Sequence, residues 1–280
     1  MAPVPARLTW QRTTVQGRPA VYGVAGQGRP LVFLHGWGLS HRSYRRALGE
    51  LIGKGVRIYA PALPGFGGTA RLPDEDLSLL GFARWVRDFV SGVVVGEEAV
   101  ILIGHSFGGG VAVQTAHDHP ALASRLVLVN SIGGSVWKAD GVSRTMRDRP
   151  WWDWGLHLTA HALSHRSLTR VLPVIAADAV PNAVRHPDLL WRVGRLAREA
   201  NLTRELEELR RRRLPVVIVW GLGDRIVPWA CVGSLIEALG DPEVLTVPGD
   251  HSWLIVDPER FAEIITNVVV MADGESTQAS

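Results

Sequence analysis

The sequence predicts an α/β protein: a mostly parallel, twisted sheet of about eight strands with helices on both faces and a helical insertion. Three observations carry this prediction. Short β-branched runs bounded by turn residues alternate with longer segments of helical period. One run, "AVILIG" at 99–104, is apolar throughout, as a strand covered on both faces must be. From Ile132 to Leu214 the strand-like apolar runs stop, and Trp, His and Arg recur at helical spacings instead.

Taken in order, "AVYGVAG" (20–26) and "PLVFLHG" (30–36) read as the second and third strands. Tyr44, Leu48, Leu51 and Ile52 then share one helix face, which Gly53 and Gly55 bring to a stop. "VRIYAPALPGFGG" is a strand running into a glycine–proline loop, and Leu80, Ala83, Trp85, Val86, Phe89 and Val90 mark the next helix. After strand 99–104 a helix leads to His119–Pro120, and "RLVLVN" (125–130) is another strand. "PVVIVWG" (215–221) and "EVLTVPG" (243–249) resume the sheet, with a helix from Trp229 to Leu239 between them. "PERFAEIITNVVVMA" (258–272) supplies the last helix, and "DGESTQAS" reads as a polar tail that frays. The expected organisation is a core of residues 1–131 and 214–272, a helical insertion of 132–213, and a flexible tail of 273–280.

Composition bounds the function. The N-terminal "MAPVPARLTWQR" has no apolar signal-peptide core, and no apolar run reaches the roughly 20 residues of a membrane span. The single cysteine, Cys231, fits a reducing compartment. A cytoplasmic monomer or homodimer is therefore expected. The net charge is +3, and the densest basic patch, "RELEELRRRRLP", is neither repeated nor interleaved with aromatics, so no nucleic-acid partner is expected. Glu207 and Glu208 precede Arg211 and Arg212 by four residues, which makes that patch a paired helix end.

In parallel α/β sheets ligands bind beyond the carboxyl ends of the strands, and four segments there carry chemistry. Strand 99–103 runs into Gly104-His105-Ser106-Phe107-Gly108 and then directly into a helix. This G-x-S-x-G in strand–turn–helix context marks Ser106 as a nucleophile held in a strained turn. Of ten histidines, His251 follows the last strand and comes after the serine and an acid in chain order, the arrangement of a general base. Asp224 follows strand 215–220 and would orient the imidazole, whereas Asp250 adjoins His251 and is badly placed to reach its ring. "LHGWG" follows the third strand, so the Trp37 amide, with that of Phe107, is expected to form an oxyanion hole. His157, His161 and His165 recur at i, i+4, i+8 but lack a carboxylate partner motif, so no metal and no cofactor is read.

His35-Gly36-Trp37-Gly38, Pro64-Gly65-Phe66-Gly67, Gly104-His105-Ser106-Phe107-Gly108-Gly109, Gly223-Asp224-Arg225-Ile226-Val227-Pro228 and Gly249-Asp250-His251 occur in that order. On these motifs the chain, over about residues 10–272, resembles the α/β-hydrolase superfamily. The resemblance implies that residues 132–213 form a helical cap and that the reaction is hydrolysis of a carboxylic ester, thioester or lactone. Where relatives often carry Asp before Leu-Pro-Gly, this chain has Ala62. Some relatives place the acid after the preceding strand, which ends here in Asn130. Ser106 excludes the branches with an aspartate nucleophile, and Tyr22, Tyr44 and Tyr59 all precede the cap, unlike the cap tyrosines of epoxide hydrolases. Carbon–carbon bond hydrolases of aromatic ring cleavage often have Trp directly after the histidine, and here Ser252 intervenes before Trp253. Cofactor-free perhydrolases follow the tryptophan with proline, where this chain has Gly38. Both branches stay open, as does a ligand receptor on the same fold. The tryptophans of the insertion favour a small apolar or aromatic ester, with Trp137, Trp151, Trp154 and Trp253 as candidate substrate-binding residues.

Overall fold

The computed structural model describes residues 7–94, 96, 99–134, 136–139, 142–148 and 171–278. Its strands are β1 (Thr9–Val15), β2 (Arg18–Gly26), β3 (Arg29–Leu34), β4 (Val56–Pro61), β5 (Val100–His105), β6 (Ala123–Val129), β7 (Val136–Ala139), β8 (Val142–Thr145), β9 (Val216–Gly221) and β10 (Glu243–Val247). β7 and β8 pair only with each other. The remaining eight form one open sheet in the order β1-β2-β4-β3-β5-β6-β9-β10. β2 runs antiparallel to both β1 and β4, and every other pairing is parallel. The first hairpin turns at Gln16 and Gly17, both with positive φ, the backbone that matches strand twist in a two-residue turn.

The helices are α1 (Arg45–Gly49), α2 (Leu79–Val93), α3 (Phe107–Asp118), α4 (Leu172–Arg185), α5 (Pro187–Glu199), α6 (Thr203–Arg211), α7 (Trp229–Leu239), α8 (Trp253–Val256) and α9 (Pro258–Gln278). Because successive strand residues point to opposite faces, the middle of each central strand is apolar on both faces where it meets two helical layers. Val32, Leu102, Leu128 and Ile218 pack on one face with residues of α2, α3, α6 and α7. Phe33, Ile101, Val127 and Val219 pack on the other with residues of α1, α8 and α9. The parallel order β4-β3-β5-β6-β9-β10 brings the carboxyl ends of six strands to one edge, and that edge is where the functional candidates emerge.

Four expectations change. The helix read from Tyr44 to Ile52 is a 3-10 turn, His41–Tyr44, followed by five α-helical residues. Leu51 and Ile52 lie in the turn closed by Gly53 at φ 83°. The insertion contains a β-ribbon, which its sequence hides because four-residue strands are too short to establish an alternation. α6, assigned by sequence to the insertion, packs against α3 and α7 and buries Leu206 and Leu209 in the core. Finally, α9 continues through Gln278, beyond the expected end at Ala272, because a helix already nucleated and packed propagates at small cost per residue.

Candidate functional site

Ser106 sits between β5 and α3 with φ 53° and ψ −118°, a conformation that a residue with a Cβ rarely adopts. The turn is tight enough that a Cβ on Gly104 would lie 2.4 Å from the Gly108 carbonyl oxygen. One on Gly108 would lie 2.3 Å from the Leu34 carbonyl oxygen. The Ser106 N–H donates to Val129 O at 3.0 Å, which fixes the elbow to the neighbouring strand. The side chain is left partly exposed among buried neighbours.

The residues read from strand ends as nucleophile, base and acid meet in one hydrogen-bonded line. His251 Nε2 lies 2.9 Å from Ser106 Oγ, and His251 Nδ1 lies 2.7 Å from Asp224 Oδ2. A carboxylate only accepts, so Nδ1–H is the donor and the Nε2 lone pair faces the serine hydroxyl. Two backbone bonds tie the acid and base loops together: Leu222 N–H to Val247 O at 2.9 Å and Gly223 N–H to Gly249 O at 2.7 Å.

Asp224 is buried. Its Oδ1 accepts from the amides of Ile226 (2.8 Å) and Val227 (3.0 Å), while Oδ2 also accepts from Asn130 Nδ2 at 2.6 Å. Burial by itself would raise this carboxyl. The adjacent His251 ring and the hydrogen bonds from His251, Asn130 and Val227 outweigh it and hold the group below the usual carboxylate range. Asn130 is the member that sequence reading passed over as a mere strand end. It has φ 44°, and its Oδ1 accepts from Trp253 Nε1 at 2.8 Å and from Gly221 N–H at 3.3 Å. Its one sequence signal is a polar residue at the carboxyl end of an apolar strand, and it carries no charge.

His105 does not face the serine hydroxyl. Its Nε2 is 2.9 Å from the His251 carbonyl oxygen and therefore donates, which leaves Nδ1 to accept from the Tyr44 hydroxyl at 2.8 Å. The Tyr44 oxygen in turn accepts from Gly36 N–H at 3.2 Å. Burial, with the nearby His251, lowers His105 to about 3, so it is a neutral strut between the elbow, the histidine loop and the loop after β3. His35 is a second strut: Nδ1 donates to Gly36 O at 2.9 Å and Nε2 accepts from Leu63 N–H at 2.8 Å. Burial lowers it to about 4.

The two amides expected to hold an oxyanion are those of Phe107 and Trp37. Phe107 N–H opens the first turn of α3 and has no acceptor among the described residues. Gly36 N–H is engaged by Tyr44, so the next amide along that loop is that of Trp37. The indole of Trp37 donates to Leu190 O at 2.8 Å. Of the tryptophans read as substrate-binding, Trp253 is the one whose side chain lies among the described residues. It is only 2% exposed, and its indole N–H, which needs an acceptor when buried, donates to Asn130 Oδ1, whose amide group in turn donates to Asp224. The backbone of Trp137 belongs to β7, but its side chain lies outside the described residues, as do Trp151 and Trp154. His157, His161 and His165 lie outside them too. Among the described residues no cluster of three metal-ligating side chains occurs, and no helix is long and apolar enough to cross a membrane.

The open, mostly parallel sheet with helices on both faces is the architecture of the α/β hydrolases. Residues 31–264 match the model of the alpha/beta hydrolase family, and the chain belongs to it. An uncharacterized protein of Mycobacterium tuberculosis is 26% identical over 92% of this chain and 80% of its own length. The pimeloyl-[acyl-carrier protein] methyl ester esterase of Aromatoleum aromaticum is 26% identical over 85% of this chain and 97% of its own. Among solved structures, the meta-cleavage product hydrolase of Pseudomonas fluorescens superposes with a TM-score of 0.74 at 20% identity, covering 94% of this chain and 98% of that one, a likeness of fold.

Proposed function

We propose that this protein is a serine hydrolase that cleaves a carboxylic ester, thioester or lactone with an apolar or aromatic acyl group. The observation that carries the reading is the continuous line from Ser106 Oγ through His251 to Asp224, at 2.9 and 2.7 Å. Ser106 Oγ attacks the substrate carbonyl as its proton passes to His251 Nε2. The Trp37 and Phe107 amides hold the resulting oxyanion, each such donor being worth about 2.7–4 kcal/mol in the transition state. Asp224, held below the usual carboxylate range, is ionised and stabilises the imidazolium. Collapse expels the leaving group, which takes the proton from His251. Water activated by the same imidazole then attacks the acyl carbon and releases the acid and Ser106. In this reading residues 132–213 serve as the cap, and Trp137, Trp151 and Trp154 are the candidate contacts to the acyl group.

Hydrolysis of p-nitrophenyl esters of graded chain length, with Ser106→Ala as control, tests the reading. Turnover that rises with acyl length and vanishes in Ser106→Ala is expected. Turnover unchanged in Ser106→Ala sinks it. A vinylogous diketone cleaved far faster than any ester assigns the site to carbon–carbon hydrolysis instead.

A further inference from the structure

The loop after β3, which carries the Trp37 amide, has little structure of its own. Between Gly36 and Ser40 there is neither strand nor helix, and Gly38 takes φ 76°. Besides local bonds to His35, Tyr44, Arg42 and Ser43, its polar contacts run to residues 138 to 153 positions later in the chain. The Asp178 carboxylate accepts three hydrogen bonds: from Ser40 N–H at 2.6 Å, Ser40 Oγ–H at 2.7 Å and Ser43 Oγ–H at 2.5 Å. Asn182, one turn further along α4, donates from Nδ2 to Gly38 O at 3.1 Å and accepts at Oδ1 from Gly67 N–H at 3.3 Å. From α5, Leu190 O takes the Trp37 indole N–H, and Gly194 leaves room for that ring, since a Cβ there would lie 3.0 Å from it. The i, i+4 spacing puts Asp178 and Asn182 on one face of α4, and that face holds Ser40, Gly38 and the glycine loop at Gly67 together.

We propose that Asp178 and Asn182 are positioning residues for the oxyanion hole: α4 sets the backbone of the loop that presents the Trp37 amide. Neither side chain touches substrate. Docking of α4 onto the loop is then a condition for the chemical step. Donors must sit within a few tenths of an ångström of the developing oxyanion to be effective, and a glycine loop held from outside loses that accuracy when its holder is removed.

The inference rests on the serine-hydrolase reading, and the test separates the two. Asp178→Ala, Asn182→Ala and the milder Gly194→Ala are compared with the parent protein using a p-nitrophenyl ester and a trifluoromethyl ketone that forms a hemiketal oxyanion. Each variant should lower kcat by about 10- to 100-fold with KM changed by less than about threefold, and Ki for the ketone should rise in parallel with the loss in kcat/KM. Asp178→Asn, which keeps one acceptor oxygen, should recover part of the loss. Circular dichroism at the assay temperature confirms that each variant is folded. Folded variants that retain the parent's kcat and ketone affinity overturn the inference. A parent protein with neither esterase activity nor ketone binding overturns the serine-hydrolase reading itself.

Discussion

Asn130→Asp is the sharpest single perturbation of the acid. Aspartate keeps the oxygen that accepts from Trp253 and Gly221 and tolerates the positive φ, so the change removes one thing, the donor to Asp224. A hydrogen bond to a charged group contributes about 1.5–3 kcal/mol, equivalent to about 10- to 150-fold in rate if its loss falls wholly on the transition state. The replacement also sets a second carboxylate where the donor stood, 2.6 Å from the first. Two such groups cannot both stay ionised cheaply, so the pair takes up a proton. Lifting one carboxyl from near 4 to neutrality costs about 4 kcal/mol, which bounds the loss of stability at pH 7. Profiles of kcat/KM from pH 4 to 9, with urea melts at the same pH values, should show lower activity at pH 7, an added apparent ionisation at about pH 5–7, and a variant whose stability recovers relative to the parent as pH falls. Parent-like profiles and melts would mean that Asn130 does not act on Asp224.

Three further outcomes follow from the same geometry. Ser106→Gly should be inactive yet melt above Ser106→Ala, because glycine relieves a backbone strain of about 1–3 kcal/mol that alanine keeps; thermal melts of the two variants compare them directly. Gly108→Ala should cost more than about 3 kcal/mol or fail to fold, since its Cβ would meet backbone oxygens of Leu34 and His35 at 2.3 and 2.6 Å; soluble yield and urea midpoint report it. His35, His41 and His105, lowered by burial to about 4, 3 and 3, bind protons in the unfolded chain below pH 6.5 and not in the folded one. Their contribution is therefore complete above pH 6.5 and is lost as pH falls toward 4, at up to about 1.4 kcal/mol per pH unit for each. His41 has no hydrogen-bond partner on either ring nitrogen among the described residues, so His41→Phe should flatten the urea-midpoint slope by about one proton.

The parts of the fold legible in the sequence are those that physics writes locally. β5 and β9, and β6 from Leu126 onward, are covered on both faces and read as apolar runs, each leading into a polar segment at the strand's carboxyl end. Ser106, Asp224 and His251 could be read because one rule, chemistry at the carboxyl ends of strands, selects all three. Asn130 obeys the same rule but carries no charge to draw notice. Trp253 stands beside His251 in sequence, and only the fold reveals that its indole finds a buried acceptor. Asp178 and Asn182 leave no local trace, because their partners lie between 115 and 144 residues away. The β7–β8 ribbon is hidden by its shortness, and the turn before α1 by a helical spacing that glycine cuts off after one turn.

The central claim is that Ser106 is a nucleophile activated by His251. Intact-mass and peptide mass spectrometry after treatment with a fluorophosphonate measures this most directly. One equivalent of adduct on the Ser106 peptide is predicted, formed at least about 100-fold more slowly in His251→Ala and absent in Ser106→Ala. No adduct on the folded protein, or an adduct on another residue that persists in Ser106→Ala, would contradict it.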